Sequence, residues 1–175
     1  MSNHYLLTIV CPDKPGLVAS ITAELFDLGV NLGDANFAVL GQGAEFTAVL
    51  ETPVDLTIDH VEQALTDLSA LEEADIQLKP FSYSALRGDQ LAATHHILLE
   101  GDDQPGLVAR LTELLIDYSA NIVRMDARKL QKAKQPSYII ELWFWVPADR
   151  ADACTSAINN TAATLGMRCQ TNEAV

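Results

Sequence analysis

Apolar and polar positions along this chain follow two periods, and the periods alternate in a set order. Residues 5–10 form a short apolar run with β-branched members, which predicts a strand. Leu17, Ile21, Leu25 and Leu28 recur at helical spacing, so a helix with one buried face is predicted next. Pro15 suits the first turn of that helix, and Gly29 suits its end. Residues 31–40 read as a second strand, and Gly41-Gln42-Gly43 turns the chain. Phe46, Ala48 and Leu50 alternate with Glu45, Thr47, Val49 and Glu51, the period of a half-buried third strand. Ile58, Val61, Leu65 and Leu68 mark a second helix, and residues 74–79 close with a fourth strand.

The same order returns further on. A strand is predicted over 95–100, and a helix is lined by Leu107, Leu111, Leu114, Leu115 and Tyr118. Strands near 121–130 and 138–146, a helix over about 149–165 and a strand near 167–171 follow. The duplication is also literal. Asp13, Pro15, Gly16, Leu17, Val18, Ala19, Thr22, Leu25, Asp27 and Asn31 match Asp103, Pro105, Gly106, Leu107, Val108, Ala109, Thr112, Leu115, Asp117 and Asn121, at a constant offset without a gap. A repeat of this kind decides the fold reading. The prediction is an α+β protein of two tandem ferredoxin-like βαββαβ domains. Each has an antiparallel sheet with both helices on one face. Domain one spans 1–80, a linker 81–93, and domain two 94–175.

Charge narrows the function. The net charge is −13. Residues 1–80 hold 13 acids against 2 bases, and residues 81–175 hold 11 against 9. Phosphate contact needs clustered Lys and Arg, so direct nucleic-acid binding is not expected. The one basic cluster, Arg124, Arg128, Lys129, Lys132 and Lys134, falls on a predicted hairpin, where a solvated loop is the default and a docking patch the alternative. No apolar run approaches the ~20 residues of a membrane helix, and the N-terminus reads as a strand rather than a secretory peptide. Three cysteines, Cys11, Cys154 and Cys169, match no metal or disulfide spacing, which points to free thiols in a reducing, cytoplasmic setting.

The repeated loop carries the candidate chemistry. A helix start exposes backbone amides without internal partners, and its dipole favours an anion. Gly16 and Gly106 let a ligand approach the backbone. Asp13 and Asp103 can accept from an ammonium group or cap the helix, and Asn31 and Asn121 offer amides beside the strand-one ends. Such a set suits a free amino acid. The same residues also make an ordinary helix cap and an ordinary turn.

The segments DKPGLVASITAELFDLGVNL and DQPGLVARLTELLIDYSANI resemble the signature of ACT domains, small regulatory modules. The resemblance covers nearly the whole chain as two copies. It implies an amino-acid site at the loop and the start of strand two, at an interface between paired domains. The ligand-binding residues it implies are Asp13, Gly16, Leu17 and Asn31, with Asp103, Gly106, Leu107 and Asn121. A chain of two such domains and little else is similar to the glycine cleavage system transcriptional repressor family. That similarity implies a cytoplasmic co-regulator with no catalytic residues and no cofactor. Such a co-regulator is expected to sense a small amino acid, glycine, and to bind a LysR-type transcriptional activator rather than DNA. The alternative is a feedback-sensing regulatory subunit of an amino-acid metabolic enzyme.

Other features add less. His95 and His96 are adjacent on a strand and point to opposite faces, so they do not clamp one metal. Acylphosphatases share this strand order and use an Arg in the first loop. Here Arg110 lies inside the helix pattern, its counterpart is Ser20, and Pro105 interrupts the loop. In the strand near 138–146, Ile140, Leu142 and Phe144 should face the helices, leaving Trp143 and Trp145 on the open side. Two tryptophans there point to a covered surface, in a homodimer or an intrachain pair.

Overall fold

A computed structural model describes residues 2–83, 92–131 and 136–173. The chain divides into two compact units, Met1–Ala85 and Leu86–Val175. Most of the predicted linker, and Lys132 and Lys134 of the basic cluster, lie outside the described residues.

The first unit runs β1 (Ser2–Pro12), α1 (Leu17–Asp27), β2 (Asn31–Leu40), β3 (Gly43–Pro53), α2 (Ile58–Thr66), a 3-10 turn (Ser69–Leu71) and β4 (Asp75–Pro80). Its sheet has the order β2-β3-β1-β4, every neighbouring pair antiparallel. Strand alternation sends Leu7, Ile9, Phe46, Ala48 and Leu50 to one face. Leu17, Ile21 and Leu25 of α1 and Val61 and Leu65 of α2 pack into the same core. Both helices therefore cover one face, and the opposite face stays open, as the βαββαβ reading predicts.

The second unit repeats this with β5 (His95–Asp102), α3 (Leu107–Asp117), β6 (Asn121–Leu130), β7 (Ser137–Trp145), α4 (Ala151–Thr164) and β8 (Arg168–Glu173). The sheet order is β6-β7-β5-β8. Ile97, Leu99, Ile140, Leu142 and Phe144 meet Leu107, Leu111, Leu115, Cys154 and Ile158 in its core.

Element ends differ slightly from expectation, where hydrophobic spacing is least informative. Leu68 was predicted on the second helix. That helix stops at Thr66, and Leu68 instead leads into the 3-10 turn, partly buried beside the core. Gly29 ends α1 with φ 72, the left-handed conformation that glycine adopts freely. Its counterpart Ser119 holds φ 56, and the Arg150 Nη1 donates to its Oγ at 2.8 Å.

Candidate functional site: the two strand-to-helix loops

Each repeated loop opens a shallow cleft at a helix start. Around α1 the cleft is about 350 Å³ and is lined by residues 13–19 and Phe37. Around α3 it is about 170 Å³ and is lined by Asp103, Gln104, residues 106–109, Lys129 and Tyr138. Gly16 (φ 88) and Gly106 (φ 84) are the N-cap residues, both left-handed. A Cβ at either position would meet nothing within 4 Å, so the ground beside the backbone is open.

The predicted capping role of Asp13 and Asp103 is corrected. Neither helix receives a side-chain cap. The N-cap position falls on glycine, which has no side chain to cap with, three residues beyond each aspartate. Val18, Ala19, Val108 and Ala109, first-turn residues whose amides have no side-chain cap, are among those that line the clefts. Leu17 and Leu107 are each 2% exposed and belong to the cores, so their side chains are closed to a ligand, and the Leu17 N–H already donates to the Lys14 carbonyl at 3.5 Å.

Asn31 and Asn121 begin β2 and β6, and both are exposed. The register places Asn31 opposite Glu51, which pairs in turn with His4 near the start of β1. The loop follows the other end of β1, beyond Pro12. At about 3.3 Å per residue, Asn31 stands roughly 25 Å along the sheet from Gly16 of the same unit. The expectation that the asparagines lie beside the strand-one ends is therefore corrected: β2 runs parallel to β1 with β3 between them, so it begins where β1 begins. Asn121, opposite Trp145, holds the matching place in the second unit.

The loops share a backbone but differ in side-chain pairing. In the second unit, Lys129 Nζ lies 2.6 Å from Asp103 Oδ2, and Gln104 Nε2 donates to the Leu165 carbonyl at 3.2 Å. The Asp103 carboxylate, by its hydrogen bond first and its charge second, raises the Lys129 pKa. Sequence reading did not find this pair, since its members are 26 positions apart. Within the basic cluster, Arg124 also pairs with Asp126 at 2.9 Å and Arg128 with Glu141 at 3.4 Å. The described part of that cluster is thus internally paired, with little free charge for an acidic partner.

On the open face of the second sheet, Trp143 and Trp145 are half-buried, and Ile140, Leu142 and Phe144 face the core as predicted. Trp143 stacks on His96 at 4.5 Å between ring centroids, and the Arg124 guanidinium lies 4.9 Å from its ring. His95 stacks on Phe144 at 5.5 Å, on the core face, so the two histidines do point apart. No group of three or more His, Cys, Asp or Glu among the described residues is placed to hold a metal ion. No helix among them is long and apolar enough to cross a membrane.

Comparison with known proteins places this architecture. Residues 3–79 match the family model of the ACT domain. The glycine cleavage system transcriptional repressor of Escherichia coli (strain K12) is 28% identical over 128 residues, and that of Shigella flexneri is equally similar. The aligned part covers 73% of this chain and 66% of the relatives, just under two thirds of their length. A crystal structure of a protein of unknown function from Galdieria sulphuraria superposes with a TM-score of 0.75 over the whole of both chains, at 19% identity. A crystal structure provisionally assigned as a glycine cleavage system transcriptional repressor gives 0.65 at 16% identity, covering 99% of this chain and 98% of that one. These two establish the shared fold. The literal repeat and the same strand order in both units make this a chain of two ferredoxin-like βαββαβ domains, of which the first matches the ACT domain, and the chain is similar to the glycine cleavage system transcriptional repressors.

Proposed function

We propose that this protein is an amino-acid-responsive transcriptional co-regulator that acts by contact with a LysR-type activator rather than on DNA, with glycine as its signal. The observation that carries the reading is the pair of open clefts at uncapped helix starts, built from the very residues that the chain repeats. Backbone amides at a helix start suit the carboxylate of an amino acid, and an aspartate suits its ammonium. Asp13, Gly16, Leu17, Asp103, Gly106 and Leu107 line these clefts. Asn31 and Asn121 stand at the far end of their own sheets, so a ligand that touches both loop and asparagine takes the asparagine from another domain of the same fold. The −13 net charge supports a protein partner over DNA. Homodimer pairing is assigned to the open sheet face with Trp143 and Trp145.

The mechanism is linkage. Ligand changes partner affinity only by binding the two states unequally, and the partner changes ligand affinity by the same factor. A metabolite sensed at micromolar to millimolar levels needs about −4 to −8 kcal/mol of binding, within reach of a few charge-assisted hydrogen bonds.

Isothermal titration calorimetry against the twenty amino acids tests the sensing step. Glycine should give heat, and Asn31→Ala with Asn121→Ala should weaken it about tenfold or more, the loss of a hydrogen bond to a charged group, without lowering Tm. Absence of heat with every amino acid overturns the reading. A pull-down from bacterial extract tests the partner step: recovery of a helix-turn-helix regulator supports it, and recovery of a metabolic enzyme replaces it with the subunit alternative.

A further inference from the structure

The two clefts are chemically unequal, although their backbones are alike. In the first loop, Asp13 and Lys14 have no side-chain hydrogen bond or ion pair among the described residues. In the second loop both corresponding side chains are committed: Asp103 to Lys129, and Gln104 to the Leu165 carbonyl. Lys129 sits on the edge strand β6 opposite Tyr138, and the same place on β2 is held by Val39, opposite Ala44. A valine cannot supply the ammonium that the lysine supplies. With Lys129 and Tyr138 in its wall, the second cleft has about 170 Å³ against about 350 Å³ for the first.

We propose that Lys129 is a built-in substitute for the ligand's ammonium, which competes for Asp103 in the second loop and leaves the first loop as the preferred amino-acid site. The proposal rests on the sensing function above and deepens it by assigning which copy binds. A side chain tethered beside its acceptor competes at an effective concentration on the order of millimolar. A free amino acid at that level or below must displace it before reaching Asp103. The contact is exposed, with Lys129 66% and Asp103 31% accessible, so it biases the competition rather than sealing the site. About fivefold is the upper end for a pair of this kind.

Calorimetry with glycine, on the full chain, reads the assignment. Asp13→Asn should weaken binding more than Asp103→Asn does. In the D13N background, Lys129→Met should tighten the residual binding about fivefold by freeing Asp103, and K129Q should act alike. Lys129 faces solvent, so these variants keep the core. The proposal is overturned if D103N costs as much as D13N, or if K129M weakens binding, which would make Lys129 a holder of the ligand carboxylate. Heat from no amino acid, in wild type and K129M alike, overturns the sensing function itself. That result is distinct from binding that ignores Lys129.

Discussion

Gly16 and Gly106 show what a single residue type decides. Each lies at a positive φ where an L side chain costs about 1–2 kcal/mol, and each leaves open space where a side chain would stand. The Pro-Gly pair was legible as a helix start; the left-handed φ was not, because glycine adopts both signs equally well. The cap position itself falls on these glycines, three residues past the aspartates, and neither helix has a side-chain cap. Cys154 makes a second residue-scale case. Its side chain is fully buried, and burial alone pushes its thiol pKa from 9.0 up to about 11. The folded state holds the thiol proton more tightly than the unfolded state does. Its contribution is therefore complete below pH 9 and is lost as pH rises from 9 to 11. At about 1.4 kcal/mol per pKa unit, that loss reaches about 3 kcal/mol. Urea unfolding in reductant at pH 8 to 11 should show this decline, and Cys154→Ala should make it shallower, leaving the part due to Cys11 and Cys169, whose thiol pKa values burial also raises.

Strand alternation proved a dependable guide at the level of elements. Ile140, Leu142 and Phe144 went inward and Trp143 outward as the period of two demands. The neighbours of Trp143 were another matter. His96 and Arg124 reach it across two strand pairings, one of them shifted by an irregularity between Ile122 and Arg124. A register shift of that kind leaves no mark on a single strand's pattern. Its own sheet thus covers part of Trp143, and the pairing surface proposed above must use what remains. Trp143→Ala and Trp145→Ala should each weaken the homodimer about tenfold or more, the cost of losing an aromatic anchor. Light scattering during size-exclusion chromatography across a dilution series measures it, and unchanged dimer mass in both variants removes that face from consideration.

The whole molecule is two copies of one solution. Each unit has its own sheet, its own helix pair and its own core. A fragment of residues 1–85 should accordingly unfold in one cooperative transition by circular dichroism, and a fragment without such a transition would mean that the first core depends on the second unit. Ten identities at a constant offset, and a period switching between two and 3.6, sufficed to read off two βαββαβ units and the loop worth examining. Both signals are local, each set by neighbours on one strand or one helix turn. Folding alone decided that Asn31 stands a sheet's length from Gly16, that Lys129 reaches Asp103, and that the two clefts therefore differ. Those relations depend on strand register and hairpin geometry between distant segments, which short-range periodicity does not encode.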